Sequence, residues 1–206
     1  MRYLQTLLLA MLLPLCASAR GWNETEYKQI EQSIERPVIA NRTILITAYG
    51  AKTSASAAQN QKAINRAIAV ASMKGGGSVV VPNGTWNTGA ITLKSHVNLV
   101  VEEGATLHFV FEPDLYPLVR TAWEGLECYN YSPCIYAYGA TDIAVSGKGT
   151  IDGGGSNDTW WAWNGNPRFG YKEGVTTESQ RLGSRAQLQK YAEDGVPVEK
   201  RKFGKG

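Results

Sequence analysis

Residues 75–109 place the strongest constraint on how this chain can fold. They hold four short runs of β-forming residues, at positions 79–81, 91–93, 97–101 and 106–109. Turn residues separate the runs, and no segment between them is long enough for a crossover helix. Strands this short and closely spaced form either hairpins or a solenoid in which each strand stacks on the one a coil below. Asn83-Gly84 is the one hairpin signal in this stretch, so a solenoid is favoured.

A second stretch, residues 135–153, repeats the same pattern. Gly139, Gly147 and Gly149 separate further runs of β-forming residues, which makes this a weak second turn of the repeat. We therefore predict an all-β chain that folds as a right-handed, single-stranded parallel β-helix. A β-sandwich remains the structural alternative at this point.

The segment before these strands predicts one helix. Residues 56–73 carry apolar residues at helical spacing, and the glycines that begin at Gly75 stop the pattern. We expect this helix to cap the amino-terminal end of the solenoid, where the first coil exposes apolar interior and unpaired strand edges. Residues 43–49 are predicted as a first strand, and residues 20–42 as an amino-terminal arm without chemistry.

Residues 1–19 have the pattern of a secretory signal peptide. Arg2 supplies the charged start, residues 7–15 are apolar, and Ala17-Ser18-Ala19 is a small-residue cleavage site. We predict cleavage after Ala19 and a secreted or periplasmic protein, because the apolar run is too short to span a bilayer. A lipoprotein anchored at Cys16 is the alternative, and the bulky Leu15 argues against it.

Export affects the interpretation of the two remaining cysteines. Cys128 and Cys134 have five residues between them, and an oxidising compartment permits a disulfide that closes this small loop. Two separate thiols are the equal alternative, since spacing does not reveal the geometry that a disulfide needs. The formal net charge of +3 indicates no nucleic-acid partner.

Together these segments resemble a known family. The order TAYGA, QKAINRAI, residues 75–109, WEGLECYNYSP, IYAYGATDIAVSGKGTIDGGG and DTWWAW is similar to the amino-terminal part of glycoside hydrolase family 28, the polygalacturonases. The early coils are also similar to other pectin-lyase-like proteins. One departure is the segment Ala51-Lys52-Thr53-Ser54, where the family often has a Gly-Asp-Gly turn.

The resemblance implies a pectin-lyase-like β-helix that hydrolyses α-linked galacturonic acid in pectin with inversion. One aspartic acid protonates the leaving oxygen and a second carboxylate activates water, across a gap of roughly 6.5 to 9.5 Å. It also implies a pectic polysaccharide as partner, no cofactor, a monomer, and residues 43–206 as the amino-terminal part of the β-helix domain. After signal cleavage, no membrane partner is expected.

The motifs that carry this chemistry in the family are missing from the sequence. Asn-Thr-Asp, Asp-Asp, Gly-His-Gly and Arg-Ile-Lys segments do not occur in the 206 residues. We therefore expect no catalytic residue in this chain, and an inactive, truncated relative of the enzyme. The alternatives are a non-catalytic polysaccharide-binding or adhesive module, and a relative of the pectate lyases or epimerases. Neither His96 nor His108 has the clustered partners of a metal site.

The longest segment between predicted strands holds the candidate substrate-binding residues. Aromatic rings cover the C–H faces of sugars, while amide and guanidinium groups bond hydroxyls or a carboxylate. The candidates on this predicted loop and beside it are Arg120, Trp123, Tyr129, Asn130 and Tyr131. A packed loop with satisfied polar groups is the alternative.

Three tryptophans follow the last glycines of the repeat. Trp160, Trp161 and Trp163 are expected to pack a loop onto the solenoid wall, because rings this large are more often buried than used as a stacking platform.

Overall fold

The computed structural model describes residues 23–176 and 183–204. The predicted signal peptide, residues 1–19, lies outside these residues. The chain divides into two compact units, Met1–Arg36 and Pro37–Gly206. In the first, helix α1 (Glu24–Ser33) begins at Asn23, whose side chain accepts hydrogen bonds from the backbone N–H groups of Thr25 and Glu26. No described helix is long and apolar enough to cross a membrane.

The second unit carries the strands and two further helices. Helix α2 spans Ala57–Met73 and helix α3 spans Ser184–Glu193. The strands among the described residues are β1 (Thr43–Leu45), β2 (Gly77–Val81), β3 (Gly84–Thr88), β4 (Ile91–Thr92), β5 (Val97–Val101), β6 (Ala105–Phe109), β7 (Leu118–Trp123), β8 (Leu126–Tyr131), β9 (Ile135–Tyr136), β10 (Ala144–Gly147) and β11 (Thr150–Asp152).

The strand pairing is that of a parallel β-helix. Consecutive strands such as β2, β3 and β4 lie in different sheets, and each pairs in parallel with the equivalent strand of the next coil. The sheet orders are β1-β2-β5-β10, β11-β6-β3 and β4-β9. A β-sandwich needs antiparallel facing sheets, so the structure confirms the parallel β-helix and excludes the alternative.

The register shows how the coils stack. Leu99 pairs with Val79, 20 positions earlier, and with Val145, 46 positions later. The second coil is longer because the segment between β6 and β9 leaves the stack. Gly147 ends β10 where a side chain would overlap the backbone of Val101, so the coils approach closely there.

The core lies inside the coils and beneath α2. Alternate residues of β5 and β6 are buried, as a strand with one face on a core requires. Helix α2 buries Ala63, Ile64, Ala67 and Ile68 against this interior. Its Ser56 side chain accepts a hydrogen bond from the Gln59 N–H, and the Gln59 side-chain oxygen accepts one from the Ser56 N–H, which completes a capping box.

Two predicted elements differ in the structure. The predicted strand at residues 43–49 ends at Leu45, and Ile46–Tyr49 is a 3-10 helix that stops at Gly50 in the left-handed region (φ 99°). Strand β3 was not expected, because Asn83-Gly84 resembles a hairpin turn. In the structure this dipeptide turns the chain from one sheet into the next, since β2 and β3 do not pair.

The predicted loop that holds the candidate binding residues is a hairpin, and the loop prediction is wrong. Strands β7 and β8 pair in antiparallel register, with Trp123 opposite Leu126. Glu124 and Gly125 form the two-residue turn, with φ values of 50° and 84°. Positive φ at both positions gives a turn whose twist matches the two strands.

Cys128 and Cys134, the cysteines among the described residues, are free thiols. Cys128 is buried in a small cluster with Leu188 and Phe203, whereas Cys134 is half-buried beside the main core. Desolvation raises the pKa of both thiols, so neither has the lowered pKa of a reactive cysteine.

Candidate functional site

An aromatic cleft with a volume of about 540 Å³ lies between the β7–β8 hairpin and the tryptophan-rich segment. We call it the aromatic cleft. Sugar-binding sites commonly combine ring faces with a few polar groups, which is the composition found here. Its lining residues are Thr121, Ala122, Trp123, Asn130, Tyr131, Pro133, Trp160, Trp161, Trp163, Asn164, Ser184, Phe203 and Gly204.

The hairpin forms one wall of the aromatic cleft. The backbone of Tyr129 accepts a hydrogen bond from the N–H of Phe203 and donates one to the carbonyl of Arg201, both 2.8 Å. These bonds hold the carboxyl-terminal segment along β8 and bring the Phe203 ring to 6.2 Å from that of Trp123. The wall is therefore fixed by backbone pairing on both sides of β8.

The opposite wall is the 3-10 helix Trp160–Asn164. Trp160 packs edge-on against Phe111 and Tyr116, with ring centroids 4.6 and 5.0 Å apart. Trp163 lies 5.3 Å from the ring of Tyr131. These two rings pack the segment onto the solenoid, which agrees with the expectation of packing.

Two groups in this wall are not fully used in packing: the Trp161 ring and the indole N–H of Trp160. The Trp161 side chain lines the aromatic cleft and is 53% exposed, so a ring face is available for stacking. The Nε1 atom of Trp160 is buried and has no hydrogen-bond partner. Unpartnered buried donors are rare in proteins, and water or a ligand commonly satisfies them.

The structure brings three of the five candidate residues to this cleft. Trp123, Asn130 and Tyr131 line it, and the Asn130 side-chain oxygen accepts the Tyr131 N–H at 2.8 Å. Arg120 lines a different cleft of about 410 Å³. Tyr129 lies opposite Arg120 in the register and therefore shares its face of the hairpin.

The Arg120 guanidinium is held by neighbouring side chains. Its Nε and Nη2 atoms donate to one carboxylate oxygen of Glu127 at 3.1 and 2.9 Å, and these bonds raise the Arg120 pKa. The Tyr136 hydroxyl donates to the Arg120 carbonyl oxygen at 2.7 Å. The guanidinium also lies 5.8 Å from the ring centroid of the exposed Tyr138.

Among the described residues that line the aromatic cleft, none carries a carboxylate. Glu124 pairs with Arg185 and Glu127 with Arg120, so both hairpin glutamates serve ion pairs. Asp142 and Asp152 pair with His96 and His108 at 3.2 and 2.7 Å. Nothing in this arrangement supplies an acid and a base facing one sugar.

Metal binding finds no support in the described structure. Across residues 23–176 and 183–204, no three His, Cys, Asp or Glu side chains are grouped so that they could hold an ion.

Comparison with known proteins adds to this geometry. No protein-family model matches the chain. A probable polygalacturonase of Vitis vinifera is 31% identical in an alignment of 111 residues, which covers 50% of this chain and 22% of that protein. The crystal structure of a hyperthermoactive exopolygalacturonase from Thermotoga maritima is 37% identical, with a TM-score of 0.81 over 89% of this chain. The chain is similar to part of each of these two polygalacturonases.

The match to these polygalacturonases is partial on their side. The chain spans 40% of the Thermotoga maritima exopolygalacturonase and 22% of the Vitis vinifera relative. A family 28 exopolygalacturonase of Yersinia enterocolitica matches at 30% identity and a TM-score of 0.48, over 55% of this chain and 21% of that structure. The Vitis vinifera and Thermotoga maritima matches confirm the resemblance indicated by the sequence motifs.

Sequence reasoning missed part of the aromatic cleft. Phe203 was not a candidate, and Trp161 was assigned to packing. No local signal marks Phe203, because its place depends on pairing with a strand more than 70 residues away.

Proposed function

We propose that this chain forms the polysaccharide-binding first coils of a polygalacturonase-like glycoside hydrolase. Its substrate class is pectic polysaccharide, bound through the aromatic cleft. The observation that carries the proposal is the fold agreement with the Thermotoga maritima exopolygalacturonase, at 37% identity over 89% of the chain.

Binding in the aromatic cleft is supported by its chemistry. Trp161 presents an exposed ring, and the Asn130 side chain supplies polar groups beside it. Aromatic faces pack against sugar C–H groups, and amides bond hydroxyls, so the pair suits a saccharide. A rigid wall on each side limits the entropy lost on binding.

Hydrolysis by these 206 residues is not part of the proposal. The family's catalytic motifs do not occur in the sequence, and the part of the cleft lining that the structure describes holds no carboxylate. We propose that residues 20–206, purified after removal of the export signal, release no reducing sugar from polygalacturonate. Robust release by this protein would overturn the assignment.

The binding proposal is tested with oligogalacturonides and two single variants. Trp161→Ala removes the exposed ring of the aromatic cleft, and about tenfold weaker binding is expected, which corresponds to ~1.4 kcal/mol. Tyr138→Ala removes an exposed ring on the Arg120 side of the hairpin and serves as the control. Isothermal titration calorimetry gives both affinities. Unchanged binding by Trp161→Ala would show that the aromatic cleft is not the site.

A non-catalytic binding module is the second candidate function. The observation that favours it is the same lack of catalytic motifs. The two candidates differ in complementation: only a hydrolase part gains activity when the catalytic coils of a related polygalacturonase are joined to it.

Export from the cell is a further element of the proposal. The pattern of residues 1–19 supports it, with Arg2 before the apolar run and Ala17-Ser18-Ala19 after it. Mass spectrometry of the secreted protein tests it, and a mature start at Arg20 is the expected result.

A further inference from the structure

A second cleft, lined by residues that precede those of the aromatic cleft in the sequence, carries a cluster of positive charges. It has a volume of about 290 Å³ and lies between helix α2 and the loop that precedes it. It shares no lining residue with the aromatic cleft. We call it the basic cleft, and its lining residues are Tyr49, Gly50, Lys52, Ala55, Gln59, Lys62, Ala63 and Arg66.

The three cations of the basic cleft have no anionic partner. Lys52, Lys62 and Arg66 are exposed, and in the described part of the chain none of them forms an ion pair. The lining residues within the described ranges include no aspartate or glutamate. Some cations elsewhere, among them Lys190 and Arg185, are paired with carboxylates. The charge of the basic cleft is therefore available to a ligand.

Two of these cations repel each other in the free protein. Lys62 and Arg66 are four residues apart on α2, which places them side by side on one helix face. A like-charge pair at this spacing destabilises a helix. An anion bound between them offsets this repulsion. The ligand that the cleft attracts would therefore also stabilise the helix.

The scaffold of the basic cleft is fixed before any ligand binds. The side chain of the fully buried Asn60 accepts the Lys52 N–H at 2.9 Å and donates to the Asn87 carbonyl at 3.0 Å. One side chain thus ties the loop to both α2 and β3. Gly50 holds a left-handed turn at the mouth of the cleft and has open space where a side chain would stand.

The composition of the basic cleft indicates the class of ligand. Ammonium and guanidinium groups bind carboxylates. The Gln59 amide can bond hydroxyls, and the half-buried Tyr49 offers a ring edge to a sugar. A polymer that carries one carboxylate on each sugar would meet all of these groups at once.

We propose that the basic cleft is a second saccharide-binding site, which takes the carboxylates of an acidic polysaccharide chain. The choice of polyuronate over other polyanions rests on the proposed function. The basic cleft increases the time that the protein spends on its polymer, because two sites on one chain act at a high effective concentration.

The test measures binding of the full chain to three polymers by affinity electrophoresis. The double variant Lys62→Gln/Arg66→Gln removes the paired cations. Lys148→Gln/Lys190→Gln removes the same charge from exposed residues elsewhere and is the matched control. The polymers are de-esterified polygalacturonate, fully methyl-esterified pectin and single-stranded DNA.

The expected result is selective. Lys62→Gln/Arg66→Gln should bind polygalacturonate about tenfold more weakly, the control should stay within about twofold of wild type, and the wild-type advantage should shrink at high salt. Binding to esterified pectin should not respond to the double variant. The variant's melting temperature should equal or exceed that of wild type, because the repulsion on α2 is gone.

Three results would overturn the inference. The first is equal weakening in both double variants, which would show dependence on net charge alone. The second is DNA binding as tight as polygalacturonate binding and dependent on Lys62 and Arg66, which would assign the cleft to nucleic acid. The third is that Trp161→Ala loses polygalacturonate binding while Lys62→Gln/Arg66→Gln binds as well as wild type. That result would leave the proposed function standing. If instead only Lys62→Gln/Arg66→Gln lost binding, the basic cleft would be supported and the aromatic cleft would be excluded as the binding site.

Discussion

At the scale of single residues, polar side chains link segments that are distant in sequence. Asn60 joins α2 to the preceding loop and to β3, and it is fully buried. Such a residue is costly to bury unless every polar atom is satisfied. The sequence places Asn60 on the predicted helix, but its partners depend on tertiary packing, so its role could not be predicted.

Asp152 shows how far sequence reasoning reaches at one position. Three glycines follow Asp152, a pattern that predicts a turn-stabilising side-chain hydrogen bond, and the Gly154 N–H does donate to Asp152 at 2.9 Å. The second partner, His108 at 2.7 Å, was not predicted. That contact joins two coils, and only the register of β6 with β11 brings these residues together.

The first prediction concerns the acid stability that Asp152 contributes. The Gly154 N–H, and then His108, lower the pKa of the Asp152 carboxyl below its ordinary value of 3.8. A carboxyl group whose pKa is lower in the folded than in the unfolded state stabilises the folded protein when the pH is above its unfolded-state pKa. This stabilisation is lost as the pH falls through the folded-state pKa. Asp152→Asn should therefore show a flatter fall in melting temperature below about pH 4.

Melting curves between pH 6 and pH 2.5 provide the measurement for this prediction. Asp158→Asn, at an exposed aspartate in the following loop, is the control. The interpretation fails if both variants lose stability with acid as steeply as wild type.

At the scale of elements, α2 contributes much of the stability of the first coil. Ile68 is fully buried in the core, whereas Met73 on the last turn is 78% exposed. We predict that Ile68→Ala lowers the free energy of unfolding by about 2–5 kcal/mol, because a buried side chain leaves a cavity. Met73→Ala should change it by less than ~0.5 kcal/mol.

Urea unfolding followed by circular dichroism measures both changes. Similar values for the two variants would mean that α2 does not pack on the coil as the structure has it. The helix itself was well predicted, since the expected residues 56–73 differ from Ala57–Met73 only by the capping Ser56.

Strands were predicted where local pattern and tertiary environment agree. Val97–Val101 has alternating burial and was predicted with the same bounds. Gly84–Thr88 was missed because a glycine and an asparagine interrupt its pattern, and only pairing with β6 makes it a strand. The β7–β8 hairpin was missed since Glu124-Gly125 is not one of the favoured turn dipeptides.

Helix α3 illustrates a smaller error at the same scale. The sequence predicts a short surface helix over residues 184–194, with Ser184 as its cap and Gly195 as its stop. The helix does end before Gly195, which has a φ of 65°. It begins at Ser184, however, and the preceding Gly183 occupies the cap position without a side-chain hydrogen bond.

At the scale of the whole molecule, the coils should differ in stability. Leu107 and Ile151 occupy equivalent positions of adjacent coils, because β6 and β11 pair there. Leu107 is fully buried, while Ile151 is 46% exposed on the last described coil. In a solenoid each coil is stabilised by its neighbours, so a coil with one neighbour is weaker than a coil with two.

The corresponding prediction compares these two residues. Leu107→Ala should cost about 2–5 kcal/mol, and Ile151→Ala about 1 kcal/mol or less because it removes less buried surface. Hydrogen exchange of the wild-type protein should show earlier exchange in β10 and β11 than in β5 and β6. Equal costs and uniform protection would argue against coil-by-coil stability.

The parallel β-helix could be predicted from the sequence because the spacing of its short strands shows the repeat. The aromatic cleft could not, since its walls come from the hairpin, from residues 160–164 and from Phe203. These segments meet only after the coils have stacked. The basic cleft escaped notice for a related reason: Lys52 joins Lys62 and Arg66 through the Asn60 hydrogen bond to the loop.

The segment between β6 and β9, which carries the hairpin, leaves the stack of coils and then rejoins it. Where the chain rejoins the solenoid, Ile135 of β9 pairs directly with Ile91 of β4, and the residues between them do not disturb this pairing. Insertions or deletions in the segment between β6 and β9 that leave the hairpin intact therefore need not shift the pairing of β4 with β9, and this corner of the solenoid can vary in length. A protein built this way can acquire or exchange recognition segments at one corner while the architecture that carries them stays constant.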